Sequence, residues 1–174
     1  MSKNKVLLLS DSTCKYVNNI NWLDCNAISG ANIYTLQQFV KDNKSLLRKY
    51  THLLLHVGTN DVGNGLSSKL IIQYYNNLID FIFNVFPSLK IIVSAILPRP
   101  IDFDDTKQTV IDCNKALAKF SLKKNILFVK TYKQFVQQPG SIYKIKCFCK
   151  DRLHLSYFGV SVLRNFFIGE VHHL

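Results

Sequence analysis

The sequence predicts an α/β protein, a three-layer α/β/α sandwich around a mostly parallel sheet of about five strands. Three observations lead there. Short aliphatic runs alternate with longer segments of helical period along the whole chain. The clearest of those runs is continuously apolar rather than alternating, as a strand covered on both faces requires. No repeat, low-complexity tract or linker marks a second unit, so residues 1–174 read as one domain.

The elements follow in order. Lys5 to Leu9 reads as a short buried strand and Asn26 to Ile28 as a second, weaker one. Ile33 to Tyr50 carries Ile33, Leu36, Val40, Leu46 and Leu47 at helical spacing. His52 to Val57 is the next strand, and Gly58 to Gly65, rich in Gly and Asn, reads as a loop. Ser67 caps a helix to about Phe86, with Leu70, Tyr74, Leu78 and Ile82 on one face, and Pro87 ends it. Lys90 to Leu97 is the continuous Ile/Val strand. Pro98-Arg99-Pro100 to Asp105 reads as a loop, Thr106 to Leu122 as a helix and Ile126 to Val129 as a strand. Residues 131–155 read as irregular, and Ser156 to Val171 as the closing helix. Sites in such sheets form in loops at the carboxyl ends of strands, where Ser12, Gly30, Asn60 and the Pro98 loop fall.

Composition narrows the classes. A chain of 174 residues with 48% hydrophobic content can bury a full core and is not a disordered segment. Its longest apolar runs are far too short to cross a bilayer. The start, Met1-Ser2-Lys3-Asn4-Lys5, is basic, but only four apolar residues follow before Ser10-Asp11-Ser12. No signal peptide is expected, and the expected location is intracellular, in the cytoplasm. Cys14, Cys25, Cys113, Cys147 and Cys149 form neither a zinc pattern nor an even disulfide set, so free thiols are expected. His52 and His56 share a strand face without an acidic third ligand and read as core or rim histidines; no metal is expected.

Lys and Arg total 22 against 11 acidic residues, a net charge of +11. Such a surplus attracts nucleic acid or anionic lipid. The charges are spread, with short clusters at 41–49, 119–124 and 144–152, and no base-reading motif accompanies them. Weak, non-specific binding is therefore expected beside a small-molecule substrate.

The candidate chemistry lies in four short segments. Ser12 follows Val6-Leu7-Leu8-Leu9; Gly30 and His56-Val57-Gly58-Thr59-Asn60-Asp61 come next; Asp151-Arg152-Leu153-His154 sits near the far end. A hydroxyl is a poor nucleophile at neutral pH, so it needs a base within hydrogen-bond reach and a group to orient that base. Ser12, His154 and Asp151 offer those three parts, and Gly30 and Asn60 offer oxyanion donors. Each residue also has a plain structural reading: Ser12 a helix cap, Gly30 and Asn60 turn residues, Asp151 with His154 a surface pair. Asp11, Thr59 and Asp61 read as turn supports, and Tyr16, Trp22 and Tyr34 as core aromatics or walls of an acyl pocket.

In their order, these segments resemble the blocks of the SGNH, or GDSL-type, hydrolases: Leu9-Ser10-Asp11-Ser12, Ser29-Gly30-Ala31, Gly58-Thr59-Asn60-Asp61, and Asp151 to His154 continued by Leu155-Ser156-Tyr157-Phe158-Gly159. The wording is nearest the platelet-activating-factor acetylhydrolase-like branch and the esterase-like domains of some LINE retrotransposons. The resemblance implies a flavodoxin-like sheet and a serine esterase that works through an acyl-enzyme without a cofactor; the short chain leaves little room for a lid or deep lipid tunnel, so a short-acyl carboxyl ester is expected. It implies Ser12, Asp151 and His154 as catalytic residues, with the oxyanion held by the Ser12 and Gly30 backbone N–H groups and the Asn60 side chain. One position departs: Ser10 stands where the first block begins with Gly, and a small distortion of the turn is expected. The alternative is an inactive or weakly active module of the same fold that binds nucleic acid or anionic membrane through its basic surface, retroelement- or virus-associated.

Overall fold

The computed structural model describes residues 5–137 and 142–172. The basic segment 1–4 and His173 lie outside the described residues. Five strands, β1 (Val6–Ser10), β2 (Leu23–Ala27), β3 (His52–His56), β4 (Lys90–Ser94) and β5 (Leu127–Val129), form one sheet in the order β2-β1-β3-β4-β5. Every pairing is parallel. This is the flavodoxin-like order, in which chain connections leave in opposite directions from β1 and β3 and open a crevice there.

The continuous apolar runs are explained by burial on both faces. Leu7, Leu9, Leu53, Leu55, Ile91 and Val93 point into one core, shared with the helices α1 (Ile33–Asp42), α4 (Ser68–Val85) and α5 (Phe103–Lys123). Val6, Leu8, Leu54 and Ile92 point into the other, closed by Val160, Leu163 and Phe167 of α6 (Tyr157–Val171). Strand alternation thus sorts one unbroken run into two hydrophobic layers.

Several elements differ from the sequence reading. The segment 33–50 breaks at Asn43, whose amide donates to the Phe39 carbonyl at 2.9 Å and ends α1 before a short α2 (Lys44–Leu47). The Gly-rich stretch after β3 contains a helix, α3 (Thr59–Gly63). The buried face of α4 is Ile71, Tyr75, Leu78, Ile79 and Ile82, turned about one position from the expected stripe. Helix α5 starts three residues early, because Asp104 and Asp105, read as loop residues, lie in its first turn, where the helix dipole favours carboxylates. Strand β2 begins at Leu23, and the irregular tract holds a small hairpin of β6 (Val136–Gln137) and β7 (Ile142–Tyr143).

Gly159 sets how closely α6 seats: a Cβ there would lie 2.0 Å from the Cys147 carbonyl oxygen. Only glycine lets the helix approach that backbone.

Candidate active site

Ser12 begins a 3-10 turn (Ser12–Cys14) at the carboxyl end of β1. Asp11 caps it, its carboxylate accepting the Thr13 N–H at 2.9 Å and the Thr13 hydroxyl. Ser10 ends β1 in ordinary extended backbone; the positive-φ residues other than glycine are Asn19, Asn125 and Arg152 among those described. Its hydroxyl donates to the Asp11 carbonyl at 2.9 Å. Position 10 therefore does not take the left-handed conformation that would favour glycine.

The far end of the chain folds over this turn. Ser12 Oγ lies 3.1 Å from His154 Nε2, and His154 Nδ1 lies 2.7 Å from Asp151 Oδ2. A carboxylate only accepts, so the Nδ1 nitrogen carries the ring proton and Nε2 is left as a base toward Ser12. Asp151 also shapes its own loop. Its Oδ1 accepts the Leu153 and His154 N–H groups at 2.9 and 3.0 Å, while Arg152 takes the left-handed φ of 57° that folds the chain back. The Leu153 N–H, with the His154 ring, lowers the Asp151 carboxyl pKa below the ordinary carboxylate value. The side chains of His154 and Asp151 are about half exposed.

The opposite wall is built from three consecutive residues of α3. The Thr59 carbonyl accepts from Arg99 Nη1 at 2.8 Å, Asn60 Nδ2 donates to the Ala31 carbonyl at 2.8 Å, and the Asp61 carboxylate accepts the Ile33 N–H at 3.1 Å. The second and third bonds hold the Gly30 loop against α3. Asn60 uses one amide hydrogen in this way and keeps the other for a ligand. Neither the Ser12 nor the Gly30 N–H has an acceptor among the described residues. An added Cβ at Gly30 would meet nothing within 4 Å, so the space above it is open. Gly58 begins α3 at φ 116°, and a Cβ there would lie 2.6 Å from Ile96 Cδ1, so both conformation and space require glycine.

Arg99 is the residue the sequence did not reveal. It is 7% exposed. Its Nε and Nη2 donate to Asp102 at 3.0 and 2.8 Å while Nη1 holds Thr59. From the same loop the Ile101 N–H donates to the Arg152 carbonyl at 2.9 Å. One short segment after β4 thus ties the Asn60 helix to the Asp151–His154 loop. A positive residue between two prolines, three before an acid, was the available signal.

Other expectations resolve as follows. Tyr16 and Tyr34 are 61% and 63% exposed, so they are not core aromatics; Trp22 packs edge-on to His172 at 5.7 Å. His56 is buried, 2.7 Å from Ser94 Oγ through Nδ1, and burial depresses its pKa to about 4. His52 is buried too, but its Nε2 has no partner among the described residues, so it is not the fully satisfied core histidine expected. All five cysteines are free thiols, and no helix among the described residues is long and apolar enough to cross a membrane.

The family model for GDSL-like lipase/acylhydrolases matches residues 7–160. The chain belongs to the GDSL-like lipase/acylhydrolase family. Solved structures agree in fold. A candidate acylhydrolase from Bacteroides fragilis superposes with a TM-score of 0.84 at 17% identity, covering 99% of this chain and 88% of that one. A GDSL-like lipase from Bacteroides thetaiotaomicron gives 0.81 at 16% identity, with 98% and 89% covered. A variant of an acetyl xylan esterase from Geobacillus stearothermophilus gives 0.71 at 18% identity, with 97% and 94% covered. No curated protein matches in sequence. Membership of the GDSL-like family makes this chain a hydrolase by lineage, and its ester bond is a matter of the site itself.

Proposed function

We propose that this protein is a serine esterase acting on a small carboxyl ester with a short acyl group, acetyl in kind. The observation that carries the reading is the relay Ser12 Oγ–His154 Nε2–Asp151 at 3.1 and 2.7 Å, drawn from opposite ends of the chain. Ser12 Oγ attacks the acyl carbon while His154 Nε2 takes its proton; Asp151 stabilises the resulting imidazolium. The oxyanion is held by the N–H groups of Ser12 and Gly30 and by the second amide hydrogen of Asn60. His154 then gives the proton to the leaving alcohol. Water, deprotonated by the same ring, attacks the acyl-enzyme and releases the carboxylic acid.

Two features support a short acyl group. The first is the length of the chain: 174 residues leave little room for a lid or a deep lipid tunnel. The second is the half-exposed pair His154 and Asp151, which suits a site open to a small substrate. The free thiols, one of them exposed, fit a reducing, cytoplasmic setting. A fluorophosphonate should label Ser12 alone, and p-nitrophenyl acetate should be cleaved faster than the long-chain esters. Labelling that survives Ser12→Ala, or a preference for long chains, overturns the assignment.

A second reading, docking of the protein on a polyanion, is favoured by the surroundings of His154. Lys144, Lys146, Lys150 and Arg152 surround it in sequence, and Ile145, Tyr157 and Phe158 are 66%, 91% and 49% exposed beside them. Lys146 Nζ stands 5.4 Å from the Phe158 ring centre. Cations mixed with exposed apolar side chains suit an anionic lipid surface better than a phosphate backbone alone.

A further inference from the structure

A cleft of about 380 Å³ runs along the free edge of the sheet, remote from the site above in its lining residues. Strand β5 pairs only with β4, so its outer edge is uncovered by any other strand of that sheet. Helix α5 faces this edge with Ile111, Lys115 and Ala118 on one side, at the spacing of neighbours on a helix surface. Phe128 of β5 completes an apolar floor. Lys130 and Lys133 join Lys115 in the lining; all three are exposed, and no acidic residue lines the cleft among the described residues.

The polar groups left over are donors. Asn114 also lines the cleft, but its amide is fully engaged: Oδ1 accepts the Ile96 N–H at 2.7 Å and Nδ2 donates to the Ile96 carbonyl at 2.9 Å. The Tyr132 hydroxyl is buried with no partner among the described residues. An apolar floor beneath three ammonium groups has a definite complement. A neutral hydrocarbon would leave the cations without a counter-charge, and a polyphosphate would leave the floor unfilled. The volume is at the lower end of small-ligand pockets, roughly 300–1,000 Å³, which suits one hydrocarbon body rather than a two-chain lipid. We propose that this cleft binds an amphiphilic anion, a medium-chain carboxylate, with its chain on Ile111, Ala118 and Phe128 and its head among Lys115, Lys130 and Lys133. The site shares no residue with Ser12, Gly30, Asn60, Asp151 or His154, and the inference stands whether or not the chain is an esterase.

The test uses octanoate, with neutral octanol as its isosteric control, titrated into the full chain carrying Ser12→Ala at low ionic strength. Binding is followed by calorimetry and by the methyl resonances of Ala118 and Ile111. Octanoate is expected to saturate in the submillimolar range and to shift those methyls. Octanol should bind at least about tenfold more weakly, since it brings no charge to the three ammonium groups. Ala118→Trp fills the cleft and should abolish binding, and Lys130→Gln with Lys133→Gln should weaken it. Unmoved methyls at saturation, equal affinity for octanol, or binding that survives a folded Ala118→Trp overturns the proposal. The methyl shifts decide the matter even if the tryptophan variant does not fold.

Discussion

At the scale of single residues, two buried titratable groups work against each other. Burial pushes the Asp11 carboxyl up to about 6, the Thr13 hydrogen bonds only partly offsetting it, and one of its oxygens has no partner among the described residues. The native state therefore holds a proton on Asp11 that the unfolded chain releases near 3.8. The stability this contributes is complete below that value and is lost as pH rises through about 6. His56 has the opposite sign: kept neutral by burial, it contributes stability that is lost as pH falls from about 6.5 toward 4. Asp11→Asn, which keeps the acceptor for Thr13 and removes the charge, should be neutral at acid pH. Near pH 8 it should stabilise the protein by up to about 3 kcal/mol. Urea denaturation of both proteins across that range checks this, and equal stability differences at both ends would place Asp11 in a solvated setting. Asn60→Ala should lower kcat by roughly 10²–10³ with little change in KM, the usual effect of losing one oxyanion donor. A kcat within twofold of the parent would make Asn60 a loop clip to Ala31 and nothing more. The meeting of Ser12, Asp151 and His154 was legible because hydroxyl, carboxylate and imidazole are specific residue types in short, ordered motifs. The unpartnered oxygen of Asp11 was not, since burial depends on packing from distant segments.

At the scale of elements, legibility followed length. The sequence located β1, β3 and β4 well, because a doubly buried strand needs an unbroken apolar run, and placed the polar edge strand β2 only in part. The five residues of α3 escaped it, since one turn bounded by Gly58 and Gly63 carries no helical period. The early start of α5 escaped for another reason: acids favoured by a helix N-terminus are the same acids that favour loops. The Pro98 loop was expected at the site-bearing ends of the strands, and its Arg99 and Ile101 brace both walls of the site in a way no motif announced. Arg99→Ala leaves the Thr59 carbonyl and Asp102 short of partners, and should cost about 2–3 kcal/mol of stability. It should also lower kcat by about tenfold to a hundredfold, because small displacements of catalytic groups are expensive, while KM changes little. Arg99→Lys should recover only part of either, as one ammonium cannot reach both partners in a planar fork. Unchanged turnover in a variant that melts lower would confine Arg99 to a structural role.

At the scale of the whole molecule, the order β2-β1-β3-β4-β5 places Ser12 after β1 and Asn60 after β3, on the two sides of the crevice where chain direction divides. Strand–helix alternation made this architecture readable before any contact was known. The distribution of the +11 charge was not readable in the same way, since a one-dimensional scatter of lysines conceals which of them share a face. Binding to RNA or to anionic vesicles should weaken steeply with added salt, through release of counterions or screening of the surface. Hydrolysis of a small neutral ester should barely respond, because its transition state is stabilised by local hydrogen bonds. Titrating both activities on one preparation separates them, and an absence of any binding at low ionic strength reduces the charge to a solvated surface.

The hydrogen bond between Ser12 and His154 spans a separation of 142 residues. Its consequence is one of timing. During synthesis Ser12 is made first, Gly30 and Asn60 follow β2 and β3, and His154 comes only after all five strands of the sheet. Without that partner a serine hydroxyl is a poor nucleophile. On the proposed mechanism, turnover therefore waits for the segment that carries His154 to dock over the Ser12 turn.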